Sequence, residues 1–445
     1  MSWERVRLRD LGTWYGGGTP SKANLDFWTG GTIPWLSPKD MGAETLADTQ
    51  DHVTRAAITA SSTKLVPAGS VAVVTRSGIL ERTIPVALVP FETTMNQDMK
   101  AVAPGSGIDA RWIAWGLRAF ERDLLRDTRK AGTTVASIEM PRWYNFELPV
   151  PPLEEQRRII AILEDQLSRL DAADEQLRKA RRCGAALLRS ALTVGLRGEL
   201  VPDDLSEGGA SALLTDDVVF EAGEQDRVWS VPSSWRWARI GDLFQVNIGS
   251  TPPRGDSHAW SGDLPWVSSG EVSFCRLAST RETIERAAAG NPRTRIQPPG
   301  TILLAMIGEG KTRGQAAILD VEAAHNQNCA SIRVSETQVL PEYIYGYLEE
   351  RYLETRRGGA GGQQPALNKT AIQKFPVPIA PLATQRTLVS RWEELRENNR
   401  RLECSLKSAK KRSEALRRSL LTAAFSGRLT GSAEEMSVVA GRTGT

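Results

Sequence analysis

The sequence predicts an α+β protein built twice over, two globular domains each running into a long helix, with the two helices paired as an antiparallel coiled coil. The first observation behind that reading is an internal repeat in the 445 residues. Trp3, Asp10-Leu11, Gly17 and Thr19-Pro20 return without a gap as Trp235, Asp242-Leu243, Gly249 and Thr251-Pro252. Pro34-Trp35 and Asn96-Gln97 return as Pro265-Trp266 and Asn326-Gln327. At about 230 residues the repeat far exceeds a solenoid unit and describes whole domains. The second observation is a pair of charged stretches with apolar residues at heptad spacing, and the third is the run of short β-branched segments between Gly/Pro/Ser turns within each domain.

The first domain (1–150) holds strand-like runs at Val71–Val74 and Ile84–Val89 and an amphipathic stretch, Ala110 to Arg126, that reads as helix. Residues 151–198 form the first long helix, with Pro151-Pro152 ahead of it and Glu154 and Glu155 complementing its dipole. Its seam is Ile160, Leu163, Leu167, Leu170, Leu177 and Leu188, interrupted by Asp174. A linker (199–234) leads to the second domain (235–380), where Thr301–Met306 and Gln315–Leu319 are strand-like and Pro341–Thr355 is the matching helix. The second long helix (381–427) carries the seam Leu388, Trp392, Leu395, Leu402, Leu406, Leu416 and Leu420, interrupted by Asn399. Antiparallel pairing is expected because it leaves the end of the first helix beside the second domain, and short connections are the commoner case. It would set the domains at opposite ends of a rod about 60 Å long, related by a pseudo-two-fold axis. Residues 428–445 read as a disordered tail.

Composition excludes some classes. The net charge is +3, a weak basic lean. The four cysteines (Cys183, Cys275, Cys329, Cys404) are far apart, which disfavours a zinc site or a disulfide framework. The opening MSWERVRLRD is charged from residue 4 and no apolar run is long enough to span a membrane, so a soluble cytoplasmic protein is expected. His52, His258 and His325 are too few and too scattered for a metal cluster. An adenine methyltransferase needs an Asn/Asp-Pro-Pro-aromatic motif, which Asn291-Pro292-Arg293-Thr294 fails to supply. Ala305–Thr312 imitates a phosphate-binding loop, but the strand-like Gln315–Leu319 follows where a helix N-terminus should stand.

The plan of domain, long helix, related domain and long helix resembles the specificity subunit of type I restriction-modification enzymes. The most specific marks are the helix openings, Leu148-Pro149-Val150-Pro151-Pro152-Leu153-Glu154-Glu155-Gln156 and Val377-Pro378-Ile379-Ala380-Pro381-Leu382-Ala383-Thr384-Gln385. The helix ends, Leu187–Gly198 and Leu416–Gly427, and the domain openings around Thr19-Pro20 and Thr251-Pro252 resemble the family as well. Two departures stand out: Thr384 replaces Glu155, and residues 363–369 differ from 133–139. The resemblance covers almost the whole chain. It implies a non-catalytic reader of double-stranded DNA, each domain acting as a target recognition domain for one half of a split asymmetric target. It also implies partners: two modification (methyltransferase) subunits and two restriction (translocase and nuclease) subunits. S-adenosylmethionine, ATP and magnesium would belong to those partners, with no cofactor, metal or catalytic residue in this chain. A standalone methyltransferase or nuclease, and a coiled-coil scaffold without DNA contact, are the alternatives.

The repeat also sorts candidate DNA contacts. Residues common to both copies cannot distinguish two half-sites, so Trp35/Trp266, Asp40/Glu271, Asn96-Gln97/Asn326-Gln327 and Thr19-Pro20/Thr251-Pro252 are expected to be scaffold or shared backbone contacts. Lys22 and Arg254 share a position and a charge, which suits phosphate anchoring. Base readers are sought among polar loop residues that differ: Arg76, Ser77 and Arg82 against Lys311, Thr312 and Arg313, and Thr133-Thr134 against Gln363-Gln364. Arg and Lys suit the major-groove edge of guanine and Gln that of adenine.

Overall fold

A computed structural model describes residues 3–130, 135–214, 218, 220–221, 226, 228–290, 295–308, 311–357 and 367–430. Thr133, Thr134, Gln363, Gln364, Asn291–Thr294 and residues 431–445 of the expected tail lie outside the described residues, whereas its first residues are ordered: Leu429 is buried and Thr430 bonds Glu155. The chain divides into two compact units, Met1–Leu177 with Lys407–Thr445, and Arg178–Leu406.

In the first unit the strands Gly12–Gly16, Met99–Pro104, Ser70–Val74 and Val86–Val89 form an antiparallel four-stranded sheet in that order. Ile33–Leu36 pairs antiparallel with Asp51–Val53 and parallel with Thr94–Met95 in a second sheet. Glu4–Arg7 closes the domain against Glu147–Val150, just before the long helix. The second unit repeats the plan. Val246–Ile248, Cys329–Ile332, Ile302–Ala305 and Ala316–Leu319 form the same sheet, extended by Cys275–Leu277. Leu264–Val267 lies between Glu282–Ile284 and Ala324–His325, and Arg236–Arg239 pairs with Pro376–Ile379. The central strands Ser70–Val74 and Ile302–Ala305 are buried along their whole length, as their continuous apolar sequence requires.

Two expected helices are each broken in two. Ala110–Ala119 and Glu121–Thr128 separate at Phe120, whose ring turns inward against Phe146 and Phe425. Pro341–Glu350 and Tyr352–Arg357 separate at Arg351, whose guanidinium turns back over the Tyr347 ring and pairs with Glu354. Tertiary packing sets both breaks, and periodicity does not report it.

The long helices are Leu153–Leu196 and Leu382–Phe425. Within the second unit Trp392 donates to the Ala191 carbonyl at 3.1 Å, Asn399 lies against Gly184, and Arg181 pairs with Glu403 at 2.9 Å. Within the first unit Thr430, just past the second helix, bonds Glu155 at 2.6 Å, and Arg417 pairs with Asp171 and Asp174 at 2.6 and 3.0 Å. In each unit the numbering rises on one helix as it falls on the other, so the pairing is antiparallel, as expected. Leu416, assigned to the seam from spacing, is instead 53% exposed. Ser413 and Arg417 take its place, because the Arg417 stem can cross to the Asp171 and Asp174 carboxylates. Asp174 is therefore an ion-pair partner across the seam.

The residues that opened each long helix in the sequence join it to its domain. Gln156 is fully buried, accepting from the Asp109 N–H at 2.9 Å and donating to the Gly107 and Pro151 carbonyls at 3.0 and 2.8 Å. Gln385 repeats this with the Leu340 N–H at 3.0 Å and the Ala380 carbonyl at 2.8 Å. The Pro149 and Pro378 carbonyls accept from Trp112 Nε1 and the Tyr343 hydroxyl at 3.0 and 2.6 Å. Thr384 differs from Glu155 in type, yet the two act alike. The Thr384 hydroxyl accepts from the Asp204 N–H at 2.9 Å, while Glu155 accepts from the Thr430 hydroxyl. Each anchors the segment that follows the opposite helix. Gly198 and Gly427 end the helices with φ near +75°, and a Cβ on either would meet the ring of Trp235 or Trp3 at 3.4 or 3.3 Å.

Candidate nucleic-acid interface

In each unit the shared domain opening lies against the Asn-Gln turn. A Cβ on Gly17 would fall inside the Asn96 carbonyl, and one on Gly249 inside the His325 carbonyl, so only glycine allows the approach. Gly18 donates to the Met95 carbonyl at 2.7 Å and Ser250 to the His325 carbonyl at 2.9 Å. The shared tryptophans hold the same loop: Trp35 and Trp266 each donate through Nε1 to the Gly18 or Ser250 carbonyl at 3.1 Å. Asp40 and Glu271 cap the turns after Ser37 and Ser268 and also accept from the Gln50 and Arg281 N–H groups at 2.9 Å. The Thr19 hydroxyl donates to Gln97 Oε1, and that of Thr251 to Gln327 Oε1 at 2.5 Å.

From this turn a strip of backbone contacts leads to the divergent loops. The Asp98 carbonyl accepts from the N–H groups of Thr75 and Arg76 at 2.8 and 3.2 Å. Ser77 donates to the Ala136 carbonyl at 3.0 Å, Ile138 to that of Thr75 at 2.8 Å, and Lys130 to that of Ser137 at 2.9 Å. Arg76 and Lys130 are exposed on this strip, and Ser77 is half-buried, its hydroxyl capping the Gly78–Glu81 turn. Arg76 and Ser77 are thus joined to the flank that follows the segment carrying Thr133 and Thr134, and Lys130, on the flank before it, bonds that same strip at Ser137. Lys130 was missed in the sequence, although it stands three residues before Thr133. Arg82 is exposed beyond that turn, and no described contact joins it to the strip.

In the second unit Met306 donates to the Asn328 carbonyl at 2.8 Å, and the loop after it leans on the helix Tyr352–Arg357. The Tyr352 hydroxyl donates to the Lys311 carbonyl at 2.5 Å, and Gly314 packs on Thr355. That helix precedes, in the chain, the segment holding Gln363 and Gln364, which lies outside the described residues. Lys311 is exposed, Thr312 half-buried, and Arg313 half-buried with its Nε out of solvent, which makes Arg313 a poorer base reader than its sequence position indicated. The loop runs into the strand Ala316–Leu319, and among its described residues no helix N-terminus stands where a nucleotide phosphate would be held.

The two expected phosphate anchors differ. Lys22 is exposed, and no described contact engages its ammonium. Arg254 is chelated by Glu282 at 2.5 and 3.2 Å and lies over the Trp260 and Trp266 rings, 3.8 and 5.1 Å from their centroids. The pair raises the guanidinium pKa and lowers that of Glu282. In the first unit Asp51, at the matching register opposite the strand tryptophan, is instead engaged by Lys39 at 3.0 Å. The same charge at one position therefore stands in two environments. Burial holds His325, on the strand Ala324–His325, at a pKa of about 4. Its Nδ1 lies 3.1 Å from the Asn326 carbonyl, and Nε2 is buried with no hydrogen-bond partner among the described residues.

No helix among the described residues is long and apolar enough to cross a membrane. The chain is 46% identical over 157 residues to the EcoR124I/EcoR124II specificity subunit of Escherichia coli, a match that covers 35% of this chain and 39% of that relative. It is 21% identical over 382 residues to the MjaIX specificity subunit of Methanocaldococcus jannaschii, covering 85% and 83%. Its fold is similar to a chain in a structure of the assembly and conformational transition of the type I R-M system (TM-score 0.72, 19% identity, 96% and 98% covered). It is also similar to the HsdS subunit of Thermoanaerobacter tengcongensis (TM-score 0.56, 17% identity, 96% and 97% covered). The type I restriction modification DNA specificity domain matches residues 1–179 and again 232–407, and the chain belongs to that family.

Proposed function

We propose that this chain is the DNA-reading subunit of a type I restriction-modification complex. Each unit reads one half of a split target, and the paired helices fix the distance between the halves. The observation that carries the proposal is that, in both units, a turn the copies share is bonded to a polar loop that differs between them, at Thr75–Arg76 in one and Met306 in the other. Lys22 anchors phosphate in the first unit, and Arg254 does so in the second once Glu282 yields it. Arg76, Ser77, Thr133 and Thr134 meet bases in one half-site; Lys311, Thr312, Gln363 and Gln364 meet them in the other, with Arg82 and Arg313 peripheral. The chain itself is not catalytic. Two modification and two restriction subunits dock on it and bring S-adenosylmethionine, ATP and magnesium. The test is binding by the purified chain with its modification subunits to a pool of random duplexes, followed by sequencing of the bound fraction. Enrichment of two short blocks at a fixed spacing supports the proposal; binding that ignores sequence contradicts it, and methyl transfer or cleavage by the isolated chain contradicts the non-catalytic assignment.

A further inference from the structure

The shared turn holds one group that scaffolding does not account for. Gln97 and Gln327 are exposed, while the residues around them, Asn96, Met99, Asn326 and Cys329, are buried. Backbone bonds, the indole N–H groups and the glycine approach already hold the loops together. Packing places no demand on an exposed side chain, yet both copies keep threonine facing glutamine. In each case the hydroxyl donates to the amide oxygen. That bond fixes which way the amide points and leaves Nε2, with two N–H donors, without a protein partner among the described residues. A free glutamine side chain loses rotamer entropy when it is immobilised, and the threonine meets part of that cost before any ligand arrives.

We propose that Gln97 and Gln327 are DNA contact residues that donate from Nε2 to a phosphate oxygen, with Thr19 and Thr251 as the positioning residues that aim them. The acceptor must be a feature common to both half-sites, because the group is identical in both units. The sugar–phosphate backbone is the part of a duplex that does not change with sequence. Phosphate oxygens are acceptors only, which suits an amide whose oxygen is already engaged. The turn also adjoins the exposed Arg76 strip in the first unit, so a phosphate held there would set the register for the base readers. A neutral donor differs from Lys22 in one measurable respect: it releases no counterion, so its contribution does not change with salt.

This inference rests on the reading that the chain binds DNA. The experiment is a fluorescence-anisotropy titration of the full chain on a labelled duplex of random sequence across a salt series. Gln97→Ala and Gln327→Ala are each expected to weaken binding about tenfold, the scale of one hydrogen bond to a charged group, with the slope of log K on log salt unchanged. Thr19→Val should lose about threefold, and Thr19→Ser should restore it. Lys22→Ala is the control and should lower the slope by about 0.9. Wild-type affinity in both glutamine variants, or a slope change like that of Lys22→Ala, overturns the inference. So does a loss seen on one base sequence and not on others, which marks a base contact. A wild-type chain that fails to bind the duplex even at low salt overturns the DNA-reading proposal itself, a separate outcome.

Discussion

Replacing Gln156 with leucine removes a buried polar staple while nearly preserving volume. The side chain makes three hydrogen bonds, but their partners do not suffer equally. Gly107 is exposed, so its carbonyl can turn to water. The Pro151 carbonyl is buried and the Asp109 N–H partly so, and each stranded group costs about 1–3 kcal/mol. Leucine recovers some apolar transfer energy, leaving a net loss of about 3 kcal/mol. At about 2–4 °C per kcal/mol for a body of 150–250 residues, the calorimetric transition containing this unit should fall by about 6–12 °C. Gln385→Leu strands the equivalent Leu340 N–H and Ala380 carbonyl and should behave alike. Gln156→Glu should fare worse than leucine, because it keeps the acceptor, loses the donor and buries a charge. Differential scanning calorimetry of the full chain reads all three. Shifts below about 2 °C for both leucine variants would refute the assignment of these glutamines as the joints between domain and helix.

The anchors offer a second contrast: Lys22→Ala should lower the salt slope of DNA binding, Arg254→Ala should lower it less, and Glu282→Gln should raise affinity by releasing the guanidinium, all read by the same anisotropy titration. His325 gives a pH dependence. Its folded pKa of about 4 lies below the unfolded 6.5, so the neutral form favours the fold and stability is full above pH 6.5. As pH falls to about 4 the unfolded chain takes up the proton first, at a cost of about 3 kcal/mol, and urea unfolding should show that loss shrinking in His325→Met, which carries the residue the first copy has at Met95. Leu402→Asp sets a carboxylate against Gly184 and beside Asn399 in the helix pair, and should lower the melting temperature while leaving low-salt binding to random duplex within about twofold.

Much of this was legible in the sequence because repetition exposed it. The shared Gly17/Gly249, Trp35/Trp266, Gln156/Gln385 and Gly198/Gly427 each prove to make the same contact twice, which marks scaffold without reference to a structure. The topology of the sheets was not legible, since short apolar runs do not state their partners. The break at Phe120 escaped because an aromatic ring drawn inward by Phe146 and Phe425 outweighs helical period. Leu416 misled because counting leucines assumes an apolar seam, whereas Arg417 fills that turn by reaching two carboxylates. The engagement of Arg254 was hidden because Glu282 lies 28 residues away and arrives on a neighbouring strand. Gln97 is legible as a shared residue of its loop, but sequence alone does not tell an exposed, aimed amide from a buried one.

The proposed function gives each unit its own half of one target. It is tested by repeating the random-duplex selection with Arg76→Ala and, separately, with Lys311→Ala, each in the full chain with its modification subunits. The expected result is that Arg76→Ala relaxes one position in one block, by about 1–3 kcal/mol of base preference, and leaves the other block intact, while Lys311→Ala does the reverse. Both blocks changing together in either variant, or neither block being enriched by the wild type, would rule out separate reading by the two units.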